Sequence, residues 1–268
     1  MEKPLKVSDL SFQRTVDKLC DFIRSIMEQS GAKGVVIGLS GGVDSSLTAA
    51  LCVHALGKNR VLGLFMPASF TPQQDTDDAH DLAEQLGIKT EFVSIQGISD
   101  AFLNSLELDQ RDERAIRRAV ANVRARIRMV ILYYYANAFN YLVAGTSDRS
   151  ELLIGFFTKH GDGGADFLPI SGLYKTQVRA LARYLGIPET VAYKPSNPQL
   201  YPGQKLADEL PLTYKDLDPI LVGLFDLKLS PEDVSRRTNI PLTIVEDVLH
   251  RYNVSEHKRS PPPQAPPQ

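Results

Sequence analysis

Short apolar runs alternate with longer segments of helical periodicity over the first two thirds of the chain. The helical segments repeat their apolar residues at three- and four-residue steps, and glycine, proline or polar residues bound the apolar runs. The runs lie at residues 35–39, 61–66, 91–95 and 141–145, and the helical segments at residues 43–56, 75–86 and about 113–140. Buried strands separated by amphipathic helices are typical of a parallel sheet covered on both faces. We therefore predict an α/β fold, a Rossmann-like parallel sheet flanked by helices.

The last third of the chain has a different pattern. A long, polar, proline-rich connection begins at about residue 194, and two helix starts follow at Ser230-Pro231 and at Pro241. Two short helices joined by a turn could read DNA. However, the second carries Glu246 and Asp247 and has no basic face before its end, so we favour a helical hairpin that packs on the core.

These patterns predict a single domain, residues 1–268, with four parts. An N-terminal helix covers about residues 1–30 and the α/β core about residues 31–190. The proline-rich loop and a small C-terminal helical extension cover about residues 191–259, and residues 260–268 form a proline-rich tail that we expect to be disordered.

Composition narrows the functional class. The 268 residues are 43% hydrophobic and 23% charged, as expected of a globular protein, and the net charge of −2 gives no reason to expect nucleic acid or a membrane as partner. No apolar run approaches the roughly 20 residues of a membrane span. The two cysteines, Cys20 and Cys52, lie outside any metal-binding or disulfide spacing, which fits a cytoplasmic protein.

A glycine-rich turn follows the first apolar run and leads into a helix. Its residues are Gly38, Leu39, Ser40, Gly41, Gly42, Val43, Asp44, Ser45 and Ser46. A helix N-terminus behind a glycine turn offers free N–H groups and a positive dipole end, which suit phosphate. The lysine of a Walker loop is missing. The Ser-Gly-Gly-x-Asp-Ser pattern resembles the pyrophosphate loop of enzymes that split ATP between its α and β phosphates, so we predict an ATP site.

The long helix presents one polar face. This face carries Asn122, Arg126, Met129, Tyr133 and Asn137, which recur at three- and four-residue steps and could hold a phosphate and stack on a base. Further arginines crowd the helix, namely Arg111, Arg114, Arg117, Arg118, Arg124 and Arg128. For most of these we expect a solvated flank or a subunit contact.

A second turn that carries candidate ligand-binding residues follows the fourth apolar run. Thr146 lies where a hydroxyl can meet a nucleotide, and Glu151 lies in the first turn of the next helix. Mg²⁺ on a polyphosphate is typically held by one or two carboxylates, and Asp44 and Glu151 are the natural pair if the two turns face each other. A carboxylate that stabilises its own helix explains Glu151 equally well.

Two later segments also carry candidate binding residues. Residues 155–166 contain several glycines with Lys159, Asp162 and Asp166, which indicates a binding loop. Residues 255–259 form a basic group with His257 and Lys258 just before the proline-rich tail.

Together these motifs resemble the ammonia-dependent NAD synthetases. The resemblance rests on Asn-x-Arg-Ala-Arg-x-Arg-Met, Gly-Thr-x-x-x-x-Glu, Gly-Phe-Phe-Thr-Lys-x-Gly-Asp-Gly-Gly-Ala-Asp, Leu-x-Lys-Thr-Gln-Val and Ser-Glu-His-Lys-Arg, and it covers about residues 12–259. It implies an adenine-nucleotide alpha hydrolase-like fold and a homodimer. It also implies the ATP-dependent amidation of nicotinic acid adenine dinucleotide (deamido-NAD) with ammonia and Mg²⁺, through an adenylated intermediate that releases pyrophosphate and then AMP.

The resemblance also assigns residue roles. It implies that the turn from Gly38 to Ser46, with Thr146, Lys175 and Ser196, binds ATP, and that Asp44 and Glu151 bind Mg²⁺. It assigns deamido-NAD to a set comprising Arg126, Lys159, Asp166, His257 and Lys258, to which the polar helix face adds Asn122 and Tyr133. We expect Asp44 and Lys175 to serve catalysis, with Asp162 as a candidate base for ammonium.

Other functions remain open from the residues alone. A tRNA-thiolating or GMP-forming enzyme would share the phosphate turn, and a nucleotide sensor without catalysis would keep it too. Neither enzyme explains the glycine-rich loop together with His257-Lys258, and a sensor needs no paired Asp44 and Glu151. The loop at residues 203–211 departs from the family pattern. We expect free ammonia rather than glutamine as nitrogen donor, although a separate amidase subunit could deliver it.

Overall fold

A four-stranded parallel sheet organises the molecule. The computed structural model describes residues 4–107, 112–195, 201 and 212–265. Its strands are β1 (Gly34–Gly38), β2 (Val61–Phe65), β3 (Lys89–Phe92) and β4 (Tyr141–Val143), in the spatial order β3-β2-β1-β4. All three pairings are parallel, with Val35 opposite Val61 on one side and opposite Leu142 on the other. The predicted α/β class is confirmed.

Helices connect the strands and cover both faces. They are α1 (Phe12–Ser30), α2 (Val43–Leu56), α3 (Gln73–Leu86), α4 (Gln96–Asn104) and α5 (Glu113–Phe139). One apolar cluster packs α1, α2 and the later helix α7 on the sheet around Ile23, Ile37 and Leu47. A second cluster, with Val36, Leu64 and Ala136, packs α5 on the opposite face. The central strands β1 and β2 are therefore buried from two sides, which is why they consist almost entirely of apolar residues and glycine.

The rest of the chain is helical. It comprises α6 (Arg149–Ile154), α7 (Lys175–Tyr184), α8 (Glu189–Ala192), α9 (Tyr214–Leu221) with a π-helical turn (Val222–Asp226), α10 (Pro231–Thr238), α11 (Leu242–Val254) and α12 (Glu256–Arg259). Ser230 caps α10 as expected, because its hydroxyl accepts the Asp233 N–H at 3.2 Å. The helices α10 and α11 pack together and enclose a third apolar cluster with α6 and α9, so the packing hairpin is confirmed.

The strand order determines where a ligand can bind. From β1 the chain proceeds to β2 on one side and later returns to β4 on the other, so the order reverses between β1 and β4. Ligands of open α/β sheets bind at the carboxyl ends of the strands at such a reversal. The phosphate turn follows β1 and Thr146 follows β4, at this position.

No helix in the described ranges is long and apolar enough to cross a membrane.

Candidate active site

The phosphate turn joins β1 to α2 and depends on Gly41. This residue has a φ of 74°, in the left-handed region that disfavours side chains. A Cβ atom there would lie 2.1 Å from the backbone oxygen of Asp75, at the start of α3. Only glycine fits this position, because both the conformation and the contact exclude a larger residue.

Serine hydroxyls shape the turn from within. Ser45 Oγ donates to the Gly42 carbonyl at 3.0 Å and lies 3.2 Å from Ser40 Oγ, and Ser46 Oγ donates to the same carbonyl at 2.8 Å. Gly42 caps α2 and supplies no side-chain acceptor for the first N–H groups of the helix. Those groups lie at the positive end of a 14-residue helix, an arrangement that suits an anion.

Lys175 lies at the centre of a cluster of three carboxylates. Its Nζ is 2.7 Å from Asp44 Oδ2, 2.8 Å from Glu151 Oε1 and 3.1 Å from Asp148 Oδ2. The lysine side chain is fully buried, at 0% exposure. Burial lowers the pKa of Lys175, but the three surrounding carboxylates outweigh burial and hold the pKa well above its usual range.

Asp148 is a member of this cluster that the sequence prediction missed. It caps α6 by accepting the Glu151 N–H at 2.9 Å, and it is fully buried. Burial raises the pKa of Asp148 to about 7 against the pull of Lys175, and burial also raises the pKa of Glu151. The Asp-x-x-Glu spacing at a helix start is the sequence signal that places both carboxylates at one helix end.

The cluster suits a divalent cation. Oxygen atoms of Asp44, Asp148 and Glu151 lie within 4.8 Å of one another. Asp44 Oδ1 is buried and has no hydrogen-bond partner among the described residues, so it is available as a ligand. Carboxylate oxygens are the ligands that Mg²⁺ and Ca²⁺ prefer. The donor set therefore fits the predicted magnesium.

The two predicted turns border one crevice of about 310 Å³. The phosphate turn, Thr146, Asp44, Glu151 and Asp162 all line it. The crevice lies at the carboxyl ends of β1 and β4, as the sequence pattern predicts. It also contains Met66, Met129 and Leu132, which give it an apolar wall beside the polar turn.

The polar face of α5 meets the glycine-rich loop. Thr158 Oγ1 donates to Asn122 Oδ1 at 2.8 Å, and the Arg126 guanidinium donates to the Lys159 carbonyl at 3.2 and 3.3 Å. Tyr133 donates its hydroxyl proton to Asp166 at 3.0 Å. The structure brings together the residues that the helical spacing placed on one face.

Close approach of the loop to α5 requires glycine. A Cβ at Gly161 would lie 2.9 Å from Ala125 Cβ, and one at Gly164 would lie 2.9 Å from Met129 Cγ. Asp162 stands between them and accepts the Thr158 N–H at 2.8 Å.

Arg128 differs from the expectation of a solvated flank or subunit contact. It lines the crevice and donates from Nε to the Met66 carbonyl at 3.0 Å, and burial lowers the pKa of Arg128 to about 10. Arg124 lies over the ring of Phe70 at 4.8 Å. The solvated flank expected for most of these arginines does not hold for Arg128, because a long helix that packs across a sheet buries more than one stripe.

Lys194 is a second residue that the sequence prediction missed. Its Nζ lies 2.6 Å from Asp75 Oδ1 and 3.1 Å from the Gly41 carbonyl, and it also pairs with Asp78. It lines the crevice, and its contact with the Gly41 carbonyl connects the segment after α8 to the phosphate turn. A lysine before a proline-rich connection carries no signal of this role. Ser196 and the loop at residues 203–211 lie outside the described residues.

The basic group near the C-terminus contacts the glycine-rich loop. Lys258 Nζ donates to the carbonyls of Gly155 at 2.7 Å and Phe157 at 2.8 Å, and Lys159 Nζ donates to the His257 carbonyl at 2.5 Å. The side chain of His257 is exposed. These contacts place residues 257 and 258 beside the loop that carries Lys159.

Comparisons with known proteins agree with this geometry. The family model of NAD synthase matches residues 15–262. The "NH(3)-dependent NAD(+) synthetase" of Hyperthermus butylicus is 51% identical over 256 residues, which are 95% of this chain and 91% of that protein.

Two solved structures share the fold. An NH3-dependent NAD synthetase from Campylobacter jejuni, in complex with nitrate, superposes with a TM-score of 0.79 at 32% identity, covering 96% of this chain and 100% of that one. An NMN synthetase from Francisella tularensis superposes with a TM-score of 0.82 at 33% identity, covering 96% and 99%.

Proposed function

The chain belongs to the NAD synthase family, and we propose that its crevice holds ATP and that deamido-NAD binds next to it, on α5 and the glycine-rich loop, for amidation. The enzyme converts deamido-NAD, ATP and ammonia into NAD, AMP and pyrophosphate. The observation that carries the residue assignment is the crevice itself. It brings the phosphate turn and the Asp44–Glu151 carboxylates to the reversal point of the sheet.

ATP binds to the phosphate turn. The free N–H groups of α2 face the phosphates, Thr146 contacts the nucleotide from the end of β4, and Lys175 adds a positive charge behind Asp44 and Glu151. The resemblance adds Ser196, which lies outside the described residues. Asp44 and Glu151 would hold Mg²⁺, with Asp148 beside them, and a divalent cation bound there would supply positive charge close to the departing pyrophosphate.

Deamido-NAD binds across the polar face of α5 and the glycine-rich loop. This set comprises Asn122, Arg126, Tyr133, Lys159, Asp166, His257 and Lys258. In the homodimer that we propose, α5 contributes to the subunit interface, so each dinucleotide site contains residues of both chains. Within one chain, the pairs Arg126–Lys159 and Tyr133–Asp166 join α5 to the glycine-rich loop, which supports a binding set made of these two segments.

The reaction depends more on the positioning of the substrates than on covalent catalysis by a side chain. A carboxylate oxygen of the substrate bonds to the α-phosphorus while the bond to the β-phosphate oxygen breaks and pyrophosphate leaves. Ammonia then bonds to the carbonyl carbon and AMP leaves. The helix N–H groups and Lys175 stabilise the negative charge, and Asp162 is the candidate that accepts a proton from ammonium.

Two substitutions test the carboxylate pair. We expect Asp44→Asn and Glu151→Gln each to abolish pyrophosphate release while the far-ultraviolet circular dichroism spectrum stays unchanged. Glu189→Gln is the matched control, because Glu189 also lies in the first helical turn but pairs with Arg183 at the surface. Full activity of both Asp44→Asn and Glu151→Gln would refute the assignment.

The acceptor acid is tested in the same assay. We expect deamido-NAD to support pyrophosphate release, with a much lower rate for nicotinic acid mononucleotide, which is the corresponding acid of NMN. A higher rate with the mononucleotide would favour the reaction named for the Francisella structure. Absence of release with any acid would favour a nucleotide sensor.

A further inference from the structure

Asp218 on α9 is a buried carboxylate with no assigned role. It has 0% exposure, and it is not among the residues that line the crevice. Its Oδ1 accepts the Ser150 hydroxyl at 2.6 Å. Its Oδ2 accepts the Thr176 N–H at 2.8 Å and the Thr176 hydroxyl at 2.7 Å. Three donors therefore converge on one side chain.

The partners of Asp218 are sequence neighbours of the site residues. Ser150 precedes Glu151, and Thr176 follows Lys175. Ser150 Oγ also accepts the Lys175 N–H at 3.0 Å, so Asp218, Ser150 and the backbone of Lys175 form one chain of hydrogen bonds. Asp218 thus joins the start of α6, which carries Glu151, to the start of α7, which carries Lys175.

The same region of chain makes a second bridge between these two segments. Asp226, in the π-helical turn after α9, accepts the Tyr174 hydroxyl at 2.8 Å and pairs with Arg149. This bridge is more open, with 38% of the Asp226 side chain exposed. The buried bridge at Asp218 contacts the residues adjacent to both Glu151 and Lys175.

We propose that Asp218 is a positioning residue that sets the distance between Lys175 and Glu151. The inference rests on the proposed roles of those two residues. Asp218 itself touches neither of the side chains that we place against ATP. A buried carboxylate that accepts three hydrogen bonds holds its partners more firmly than neutral acceptors do, because bonds to a charged group are stronger.

Removal of Asp218 takes the acceptor away from three donors, the buried Ser150 hydroxyl and the partly buried N–H and hydroxyl of Thr176. The starts of α6 and α7 are then free to shift relative to each other, and displacements of about 1 Å at a reacting centre can reduce rates by about 100-fold. Outer partners of ligand residues typically contribute about 10- to 100-fold to activity. The effect belongs in kcat, because the deamido-NAD site that we propose lies on other segments, namely α5, the glycine-rich loop and α12.

The experiment compares Asp218→Ala, Asp218→Asn and Ser150→Ala, with kcat expressed per folded molecule. We expect Asp218→Ala to lower kcat for pyrophosphate release by about 10- to 100-fold, with the KM for deamido-NAD within about twofold of the parent. Asp218→Asn keeps the acceptor for Thr176 and should lose less. Ser150→Ala removes the bridge to Lys175 and should lower kcat in the same direction.

Asp216→Ala is the matched control. Asp216 lies two residues away on α9, is exposed and bonds only locally to Thr213. We expect it to keep the parental kcat. Parental kcat per folded molecule in both Asp218→Asn and Ser150→Ala would overturn the positioning role, even if Asp218→Ala failed to fold. So would an equal loss in the control.

Glu151→Gln separates the two levels of inference. If both Glu151→Gln and Asp44→Asn retain full activity, the proposed site assignment is wrong. If Glu151→Gln is inactive while Asp218→Asn and Ser150→Ala match the parent, only the role of Asp218 is wrong.

Discussion

Charge is unbalanced at the centre of the site. Three carboxylates surround one ammonium, so full ionisation leaves two negative charges in excess at a place that water barely reaches. Asp148 responds with a pKa raised to about 7, because burial disfavours its charged form. A divalent cation would balance the excess, and proteins commonly release protons when such a cation binds.

The raised pKa of Asp148 predicts how stability depends on pH. The folded pKa lies above the ordinary value of 3.8, so the folded state holds this proton more tightly than the unfolded state. The resulting stabilisation is full below about pH 4 and is lost as pH rises through about 7. We expect the free energy of unfolding of the metal-free protein, measured in urea with a chelator, to fall from pH 5 to pH 8, with a shallower fall in Asp148→Asn.

Asp112→Asn is the control for this experiment. Asp112 caps α5 through the Arg114 and Ala115 N–H groups, as Asp148 caps α6, but it is exposed. Its variant should keep the parental slope. Equal slopes in the parent and Asp148→Asn would contradict the assignment of the raised pKa.

The residues of the site could be predicted where a motif lies within one turn of the chain. The prediction failed where a site residue makes its contact over a long sequence distance. The phosphate turn and the Asp44–Glu151 pair follow from local spacing at two strand ends. Asp218 joins the site from 68 residues after Ser150, and Lys194 reaches Asp75 across 119 residues. Nothing in the local sequence of either residue encodes its partner.

The helix α5 has a buried side and a second side that exposes apolar residues. Ala121 and Ala125 are buried on the side that meets the sheet and the glycine-rich loop. On another side, Val130 is 60% exposed and Tyr134 is 70% exposed. The neighbouring α4 exposes Phe102 at 46% and packs against α5. Apolar exposure on adjoining helices is typical of an interaction surface.

We predict that this side of α5 forms the homodimer interface. Val130→Glu combined with Tyr134→Glu should convert the dimer to a monomer, since two charges would lose their hydration at the interface. Sedimentation velocity at micromolar concentration measures the change. Activity should fall with dimer content if each dinucleotide site needs both chains.

Val254→Glu provides the matched control for the interface. Val254 ends α11, is 58% exposed and lies far along the chain in the helical extension. Its variant should remain a dimer. A parent protein that sediments as a monomer with undiminished activity would contradict the prediction.

Element boundaries were predicted best where burial is two-sided. The predicted helix at residues 43–56 agrees with α2 at both ends, and β2 differs by one residue. The third strand was placed too late, at residues 91–95, whereas β3 covers Lys89–Phe92. This strand lies at the sheet edge and is mostly exposed, so it lacks an apolar signature. The apolar Val93 and Ile95 belong to the connection into α4.

Packing at the scale of the molecule links the helical extension to the site. The apolar cluster of the extension includes Leu5 from the N-terminal segment, and it also includes Ile154 of α6 and Tyr174 beside Lys175. The extension therefore packs against the segments that position the carboxylates. This relation could not be predicted, because apolar spacing shows that a helix has a buried face but not which surface covers it.

The cysteines of the chain bear on whether it can use glutamine as its source of nitrogen. Release of ammonia from glutamine requires an activated nucleophile, commonly a cysteine whose pKa is lowered. The sequence has two cysteines, and both are buried. Burial raises the pKa of the Cys20 thiol and raises that of Cys52 further, which is the opposite of activation.

We therefore predict that this chain forms NAD from ammonium and not from glutamine. With deamido-NAD, ATP and Mg²⁺ present, NAD should accumulate with ammonium chloride and remain at background with glutamine alone. Addition of a separate glutaminase should restore formation from glutamine, because it supplies free ammonia to the same site. The double variant Cys20→Ser with Cys52→Ala should keep the parental preference for ammonium in its folded fraction. Comparable rates with glutamine alone in the parent would contradict the prediction, and the same result in the double variant would show that a nucleophile other than these two thiols releases ammonia.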